Sequence, residues 1–398
     1  AKRICHIGPA ELAGLVFIGC GAYIFIQAWK KTNFSMLDLN GSRKQRTMGE
    51  TLYRKMKLNH GPKIVAIGGG TGLSTMLRGI KKITNNITAI VTVGDDGGSS
   101  GRLREQMGIL PPGDIRNCIA ALADDDDIVT QLFQYRFKTG EGLGGHSFGN
   151  LFITAMTAIC GDMITAIKES SKVLLIRGKV IPATTDDMRL IAKMEDGSYV
   201  KGESQIPESG KKIVELCCEP EVCKPSNEVI EAINSADLII LGPGSLYTSI
   251  IPNLLVRGIS EAIQNSKAKK IYVCNIMTQP GETDNSSASD HIKAIFDHMI
   301  KSGANPSKPL VDAILINNQL PNNLAKKYEE KDSLPVEVDT GEIKKLGLEL
   351  VTSKLIEDNK EGLVRHSPGR LAKSIYYWYK KGSRNRQKTQ NEPELQKC

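Results

Sequence analysis

Four signatures are missing from this sequence, and each absence excludes a class of protein. Its nine cysteines stand scattered at Cys5, Cys20, Cys118, Cys160, Cys217, Cys218, Cys223, Cys274 and Cys398, with no Cys-x-x-Cys pair among them. A disulfide framework or a zinc cluster needs paired, regularly spaced ligands, so these read as reduced thiols in apolar surroundings and no metal is expected. No Gly-Lys-Ser/Thr follows a glycine loop, so there is no P-loop. The third glycine of a dinucleotide fingerprint is absent too: Gly68 and Gly70 hold the first two positions and Leu73 the third. Finally, the body has no basic excess. The net charge of +8 lies in the ends, with +7 in residues 1–62 and +4 in residues 380–398, leaving −3 for residues 63–379. A nucleic-acid protein carries its basic patch on the folded domain, so no nucleic-acid partner is expected.

What is present is a repeated strand–glycine-loop–helix pattern. In Lys63–Gly72, KIVAIGGGTG, a short apolar run ends in Gly68, Gly69, Gly70, Thr71 and Gly72, and the helical pattern LSTMLRGIKKI follows. A buried parallel strand reads as such a run. Glycines let the backbone turn tightly and approach a ligand, and the helix N-terminus suits a phosphate. Ile87–Val93 repeats the strand, followed by Asp95, Asp96 and GGSSGR. In open α/β sheets ligands bind beyond the carboxyl ends of the strands, so two carboxylates there suit a phosphorylated or sugar-bearing ligand. Leu238–Leu241 repeats it again, with Gly242, Gly244 and Ser245 entering a helix. Two phosphate-type loops on one sheet edge suit a diphosphate. Lys270–Asn275 then ends in NIMTQPGETD, where Asn275, Thr278 and Gln279 offer neutral groups for hydroxyls or a base edge.

Other segments add candidates. In LPPGDIRN the turn at Pro111–Gly113 leads to Asp114 as a helix cap, with Arg116 and Asn117 in the first turn. Arg116 is a candidate phosphate or carboxylate partner. Gly145–Gly149, GHSFG, has the spacing of a nucleophile elbow, but glycine-rich polar residues rather than an apolar strand precede it. It reads as a loop entering a helix, with Ser147 as cap and His146 and Asn150 as pocket candidates. Lys172–Leu216 shows short alternating runs and an Asp196–Gly197 turn, as antiparallel strands do. The chain is therefore expected to be α/β and Rossmann-like, a mostly parallel doubly wound sheet with an inserted antiparallel β-subdomain over 172–218.

The blocks IGGGTGLSTMLRG, TVGDDGGSSGRLR, LPPGDIRN, GGHSFGNL, LGPGSLYTSIIPNLL and NIMTQPGETD, spread over Pro62–Tyr379, closely resemble the YvcK-type gluconeogenesis factors, relatives of 2-phospho-L-lactate transferase. The resemblance implies a Rossmann-like domain and a UDP-sugar ligand, UDP-N-acetylglucosamine or UDP-glucose, with no further cofactor. It also implies a role in cell morphogenesis and cell-wall synthesis during gluconeogenic growth, through a protein partner in that pathway. By the same resemblance Thr71, Tyr328 and Arg365 contact the nucleotide sugar. Arg365 opens RHSP, where Ser367 replaces the family's usual aspartate. The alternative reading is a phosphoryl-type transferase in which Asp95 and Asp96 hold a metal or act on the acceptor hydroxyl.

The ends are of a different texture. Leu12–Trp29 is eighteen residues without a charge, which as a helix approaches the thickness of a bilayer core. Lys30, Lys31, Arg43, Lys44 and Arg46 follow, so the positive-inside rule places the body in the cytoplasm. The expected organisation is a membrane-anchoring segment over 1–31, a basic linker over 32–61, the nucleotide-sugar domain over 62–379, and a disordered basic tail over 380–398. The β-subdomain is expected to carry homo-oligomer contacts.

Overall fold

The strands are β1 (Ile64–Gly68), β2 (Ile87–Val91), β3 (Lys179–Pro182), β4 (Arg189–Met194), β5 (Tyr199–Lys201), β6 (Ile213–Glu219), β7 (Leu238–Leu241), β8 (Lys269–Val273), β9 (Ala313–Asn317) and β10 (Glu349–Ser353). They belong to a computed structural model that describes residues 14, 17–29, 48–123, 128–319, 333–356 and 364–391. Seven strands form one parallel sheet in the order β10-β9-β8-β7-β1-β2-β3. β1 and β7 are buried at every position, as their unbroken apolar runs demand of strands covered on both faces. Each such Ile or Leu contributes about 1.5–3 kcal/mol by leaving water.

Strand order reverses between β1 and β7: β2 and β3 lie on one side, β8 to β10 on the other. That reversal opens a crevice beyond the carboxyl ends of the two central strands, the usual ligand position in such a sheet. The helices that shape it are α1 (Gly70–Ile80), α2 (Gly98–Met107), α3 (Gly113–Leu122), α4 (Ile128–Gln134) and α5 (Phe148–Cys160). On α1, Leu73, Met76, Leu77 and Ile80 are buried, one stripe at helical spacing.

The inserted antiparallel sheet is present with order β5-β4-β6, and Gly197, at φ 83°, closes the β4–β5 hairpin. It begins later than expected. Lys179–Pro182, at the start of the expected subdomain, instead forms β3, the edge of the parallel sheet. The apolar run VIP, buried at all three positions, favours the covered sheet over a half-exposed hairpin. The expected linker also holds a helix, Met48–Asn59. The closing helix extends from Pro368 to Asn391, so the expected tail is helical over its described part.

Residues 1–59 and 60–398 are two separate compact units. In the first, residues 17–29 are helical and expose Phe17, Ile18, Phe25 and Trp29. Among the described residues no helix is long and apolar enough to cross a membrane. Residues 1–13, 15, 16, 30 and 31 of the expected anchoring segment lie outside the described residues.

Candidate functional site

A cleft of about 600 Å³ opens where β1 and β7 part. Its floor is two glycine loops packed backbone to backbone. A Cβ on Gly72 would come 2.5 Å from the Pro243 carbonyl oxygen, and one on Gly69 would come 2.5 Å from Asp114 Oδ2. Gly70 has φ +64°, the left-handed region that glycine enters without penalty. These glycines are required by loop-on-loop packing as much as by any ligand. Thr71, Gly244 and Ser245 also line the cleft.

One side is neutral and hydrogen-bonding. Asn275 Nδ2 donates to Gln279 Oε1 at 3.1 Å, and Gln279 Nε2 donates to Ser245 Oγ at 2.7 Å. This chain ties the β8 loop to the second glycine loop. Glu282, at the end of the same motif, is buried and accepts from the Tyr247 N–H and the Thr248 hydroxyl. Burial raises its carboxyl above the ordinary range. Arg365 and His366 line the rim. Burial holds the His366 imidazole neutral, its pKa pushed down to about 4. Its Nε2 is buried without a hydrogen-bond partner among the described residues.

The opposite side is acidic. Asp95, Asp114 and Glu203 line the cleft together. Asp95 Oδ1 accepts from the Gly97 N–H at 2.9 Å. Burial raises its carboxyl, against the opposing pull of that bond and of Ser100. Burial and then Asp95 push Asp114 up to about 7. Burial, then Asp95 and Asp114, push Glu203 up to about 8. Neighbouring carboxyls that disfavour one another's charge are suited to proton transfer near neutral pH. Among the described residues no group of three His, Cys, Asp or Glu side chains is arranged to hold a metal ion.

The predicted residues therefore divide. Gly69, Gly70, Thr71, Gly72, Asp95, Gly244, Ser245, Asn275 and Arg365 meet in the cleft. Gly68 and Gly242 lie beneath it, where a Cβ on Gly68 would meet Gly242 Cα at 3.8 Å. Asp96 is turned away: its two oxygens accept from the Ser204 and Glu203 N–H groups at 2.9 and 3.0 Å, pinning the loop that carries Glu203. Arg116, Asn117, His146 and Asn150 are not in the cleft wall. Tyr328 lies outside the described residues. Asp114 is no helix cap, because α3 starts at Gly113 with Pro112 before it and no side-chain cap. Ser147 does cap α5, accepting from the Asn150 N–H. Sequence reasoning missed Glu203 and His366. Glu203 comes from the inserted subdomain and sits in no recognisable motif. His366 directly follows Arg365 and was within reach of the same block.

The family described as "2-phospho-L-lactate transferase CofD" matches residues 64–356. The gluconeogenesis factor of Bacillus subtilis is 51% identical over 312 residues, 78% of this chain and 96% of its own length. A relative from Nostoc sp. is 48% identical over 377 residues, 94% of this chain and 81% of its own. A crystal structure of a Bacillus halodurans protein superposes with TM-score 0.75 at 47% identity, covering 79% of this chain and 99% of that one. With a parallel sheet, a switch-point cleft and most of its length matched, the chain belongs to the CofD family, among the YvcK-type gluconeogenesis factors.

Proposed function

We propose that the cleft binds a UDP-sugar and that the protein is a regulator acting through that ligand, in the service of cell shape and cell-wall synthesis under gluconeogenic growth. The observation that carries this is the meeting of two glycine loops at the switch point, beside a neutral wall built from Asn275, Gln279 and Ser245. The loops fit a diphosphate and the wall fits sugar hydroxyls or a base edge. A cleft of about 600 Å³ is of the usual size for such a ligand. The exposed apolar helix over 17–29 would hold the molecule at the inner face of the membrane, and the ligand state would be read by a protein partner in the cell-wall pathway.

The acidic wall favours a second reading, a phosphoryl-type transferase. There Asp95 would take the proton of an acceptor hydroxyl, with its burial raising its basicity. The deciding experiment is calorimetric titration of the full chain with UDP-N-acetylglucosamine, UDP-glucose and NAD, with products analysed by mass spectrometry. Saturable UDP-sugar binding without product is the expected result. Turnover abolished by Asp95→Asn with binding intact would establish the transferase instead, and absence of nucleotide binding would remove both.

A further inference from the structure

Beside the cleft, on the far side of Asp96, a second cavity of about 780 Å³ is lined by Asp96, Ser99, Arg102, Glu105, Arg136 and the Gly144–Gly145 backbone. Two carboxylates and two guanidiniums line it. Asp96 is occupied by two backbone N–H groups. Glu105 is paired with Arg189 at 2.7 Å. The two cavity arginines are bound only to neutral carbonyls: Arg102 Nη2 donates to Gly144 O at 2.9 Å and Arg136 Nη1 to Gly145 O at 2.6 Å. Neither has a carboxylate partner among the described residues, and each guanidinium keeps further donors.

A third guanidinium lies close by. Arg116 is on α3, its stem passing so near α5 that a Cβ on Gly149 would come 2.7 Å from its Cγ. It is within electrostatic reach of Arg136 on one side and of Asp114 and Asp95 on the other. Its Nε is buried without a hydrogen-bond partner among the described residues. A buried guanidinium donor left unpaired is costly and rare in a folded protein. Behind the cavity wall, Ser99 Oγ lies 3.0 Å from His146 Nδ1 and accepts from Asn150 Nδ2 at 3.0 Å. Asn150 is 1% exposed, and its Oδ1 is likewise unpartnered. Burial, then Arg102 and Arg136, lower the pKa of the His146 imidazole below its ordinary value. The cavity also receives the start of α2, where Gly97 supplies no side-chain cap and Gly98 and Ser99 face the space.

We propose that this cavity is a second ligand site, separate from the nucleotide-sugar cleft, which takes a phosphate group through Arg102 and Arg136 at the start of α2. A phosphate offers enough acceptor oxygens to engage several guanidiniums and helix N–H groups at once. The inference goes beyond the UDP-sugar reading and does not rest on it. The same chemistry fits free inorganic phosphate and a small phosphomonoester.

The full chain is titrated by calorimetry, at constant ionic strength, with inorganic phosphate, with glycerol 3-phosphate as a phosphomonoester probe, and separately with UDP-N-acetylglucosamine. Saturable binding of a phosphate probe is expected, and the tighter of the two identifies the source. Arg102→Gln and Arg136→Gln, both at exposed positions, should each weaken that binding at least about tenfold, the loss of one charge-assisted hydrogen bond. The UDP-sugar titration should be unchanged in both. Near-UV circular dichroism checks that these variants, and the double variant that carries both substitutions, are folded. A wild-type chain that binds neither phosphate probe overturns the proposal. So does binding that the folded double variant retains, which would leave the arginines as ties for the glycine-rich 140–145 loop, or competition by UDP-N-acetylglucosamine for the same site. Because the nucleotide sugar is titrated on its own, failure of the cleft reading leaves this result interpretable.

Discussion

Asp95 and Asp96 are neighbours in the chain with opposite assignments. Asp95 faces the cleft, while Asp96 holds the Glu203–Ser204 backbone. Asp96→Ala should leave two N–H groups without their acceptor, at a cost of about 1–3 kcal/mol for each one that water cannot reach. A lowered urea midpoint at unchanged slope would show it, and a midpoint equal to wild type would mean the loop is held by other contacts. Glu203 gives a prediction of pH dependence. Its folded pKa, about 8, lies above its ordinary value of 4.5. The folded chain therefore holds that proton more tightly than the unfolded one. The stability it contributes is full below the ordinary carboxyl pKa and is lost as pH rises through about 8. Glu203→Gln should match wild type in melting temperature near pH 4.5 and exceed it at pH 8.5. Equal melting temperatures at both values would show that Glu203 ionises as an ordinary surface carboxylate.

At the scale of elements, the two glycine loops make a matched pair of tests. Gly72→Ala drives a methyl into the Pro243 carbonyl, rigid backbone that cannot turn aside. It should cost about 1–3 kcal/mol and weaken nucleotide-sugar binding by parting the loops. Gly68→Ala meets its nearest neighbours only at 3.8 Å, so its melting temperature should stay near wild type. Equal losses would mean that the loops do not touch as described. The same pair shows how far the sequence carries. The apolar runs at Ile64–Ile67 and Leu238–Leu241, each ending in glycines, announce two buried strands and a loop edge, because burial on both faces leaves no other composition open. They do not announce that β1 and β7, some 170 residues apart, are neighbours, since strand order follows from packing across the whole sheet. Asp114 reads as a cap because Asp suits the cap position and follows a Pro-Pro-Gly turn. Instead the helix starts two residues earlier, with Pro112 at the cap position, and the carboxylate lies against Gly69. Glu203 is illegible for a related reason: the inserted hairpin delivers it over the sheet edge, and nothing in GES marks where that hairpin lands.

For the whole molecule, charge is segregated by segment: −3 on residues 63–379, against +7 before and +4 after. A body of slight negative charge gains nothing from an anionic surface. The basic residues around the apolar helix over 17–29 do, at about 1 kcal/mol for each Lys or Arg brought near the headgroups. The exposed Phe17, Ile18, Phe25 and Trp29 add an apolar contribution that salt does not screen. The two contributions can be separated by experiment. The full chain should co-sediment with vesicles of phosphatidylglycerol and phosphatidylcholine. Raising salt from 50 to 500 mM (about 14 to 4 Å in Debye length) should weaken that association without abolishing it. Deleting residues 1–59, the unit separate from the sheet, should abolish it. Association that disappears entirely in salt would leave only charge acting at the surface. Undiminished association of the truncated chain would move the attachment to the body or the basic C-terminal segment, and so remove the N-terminal tether from the functional reading.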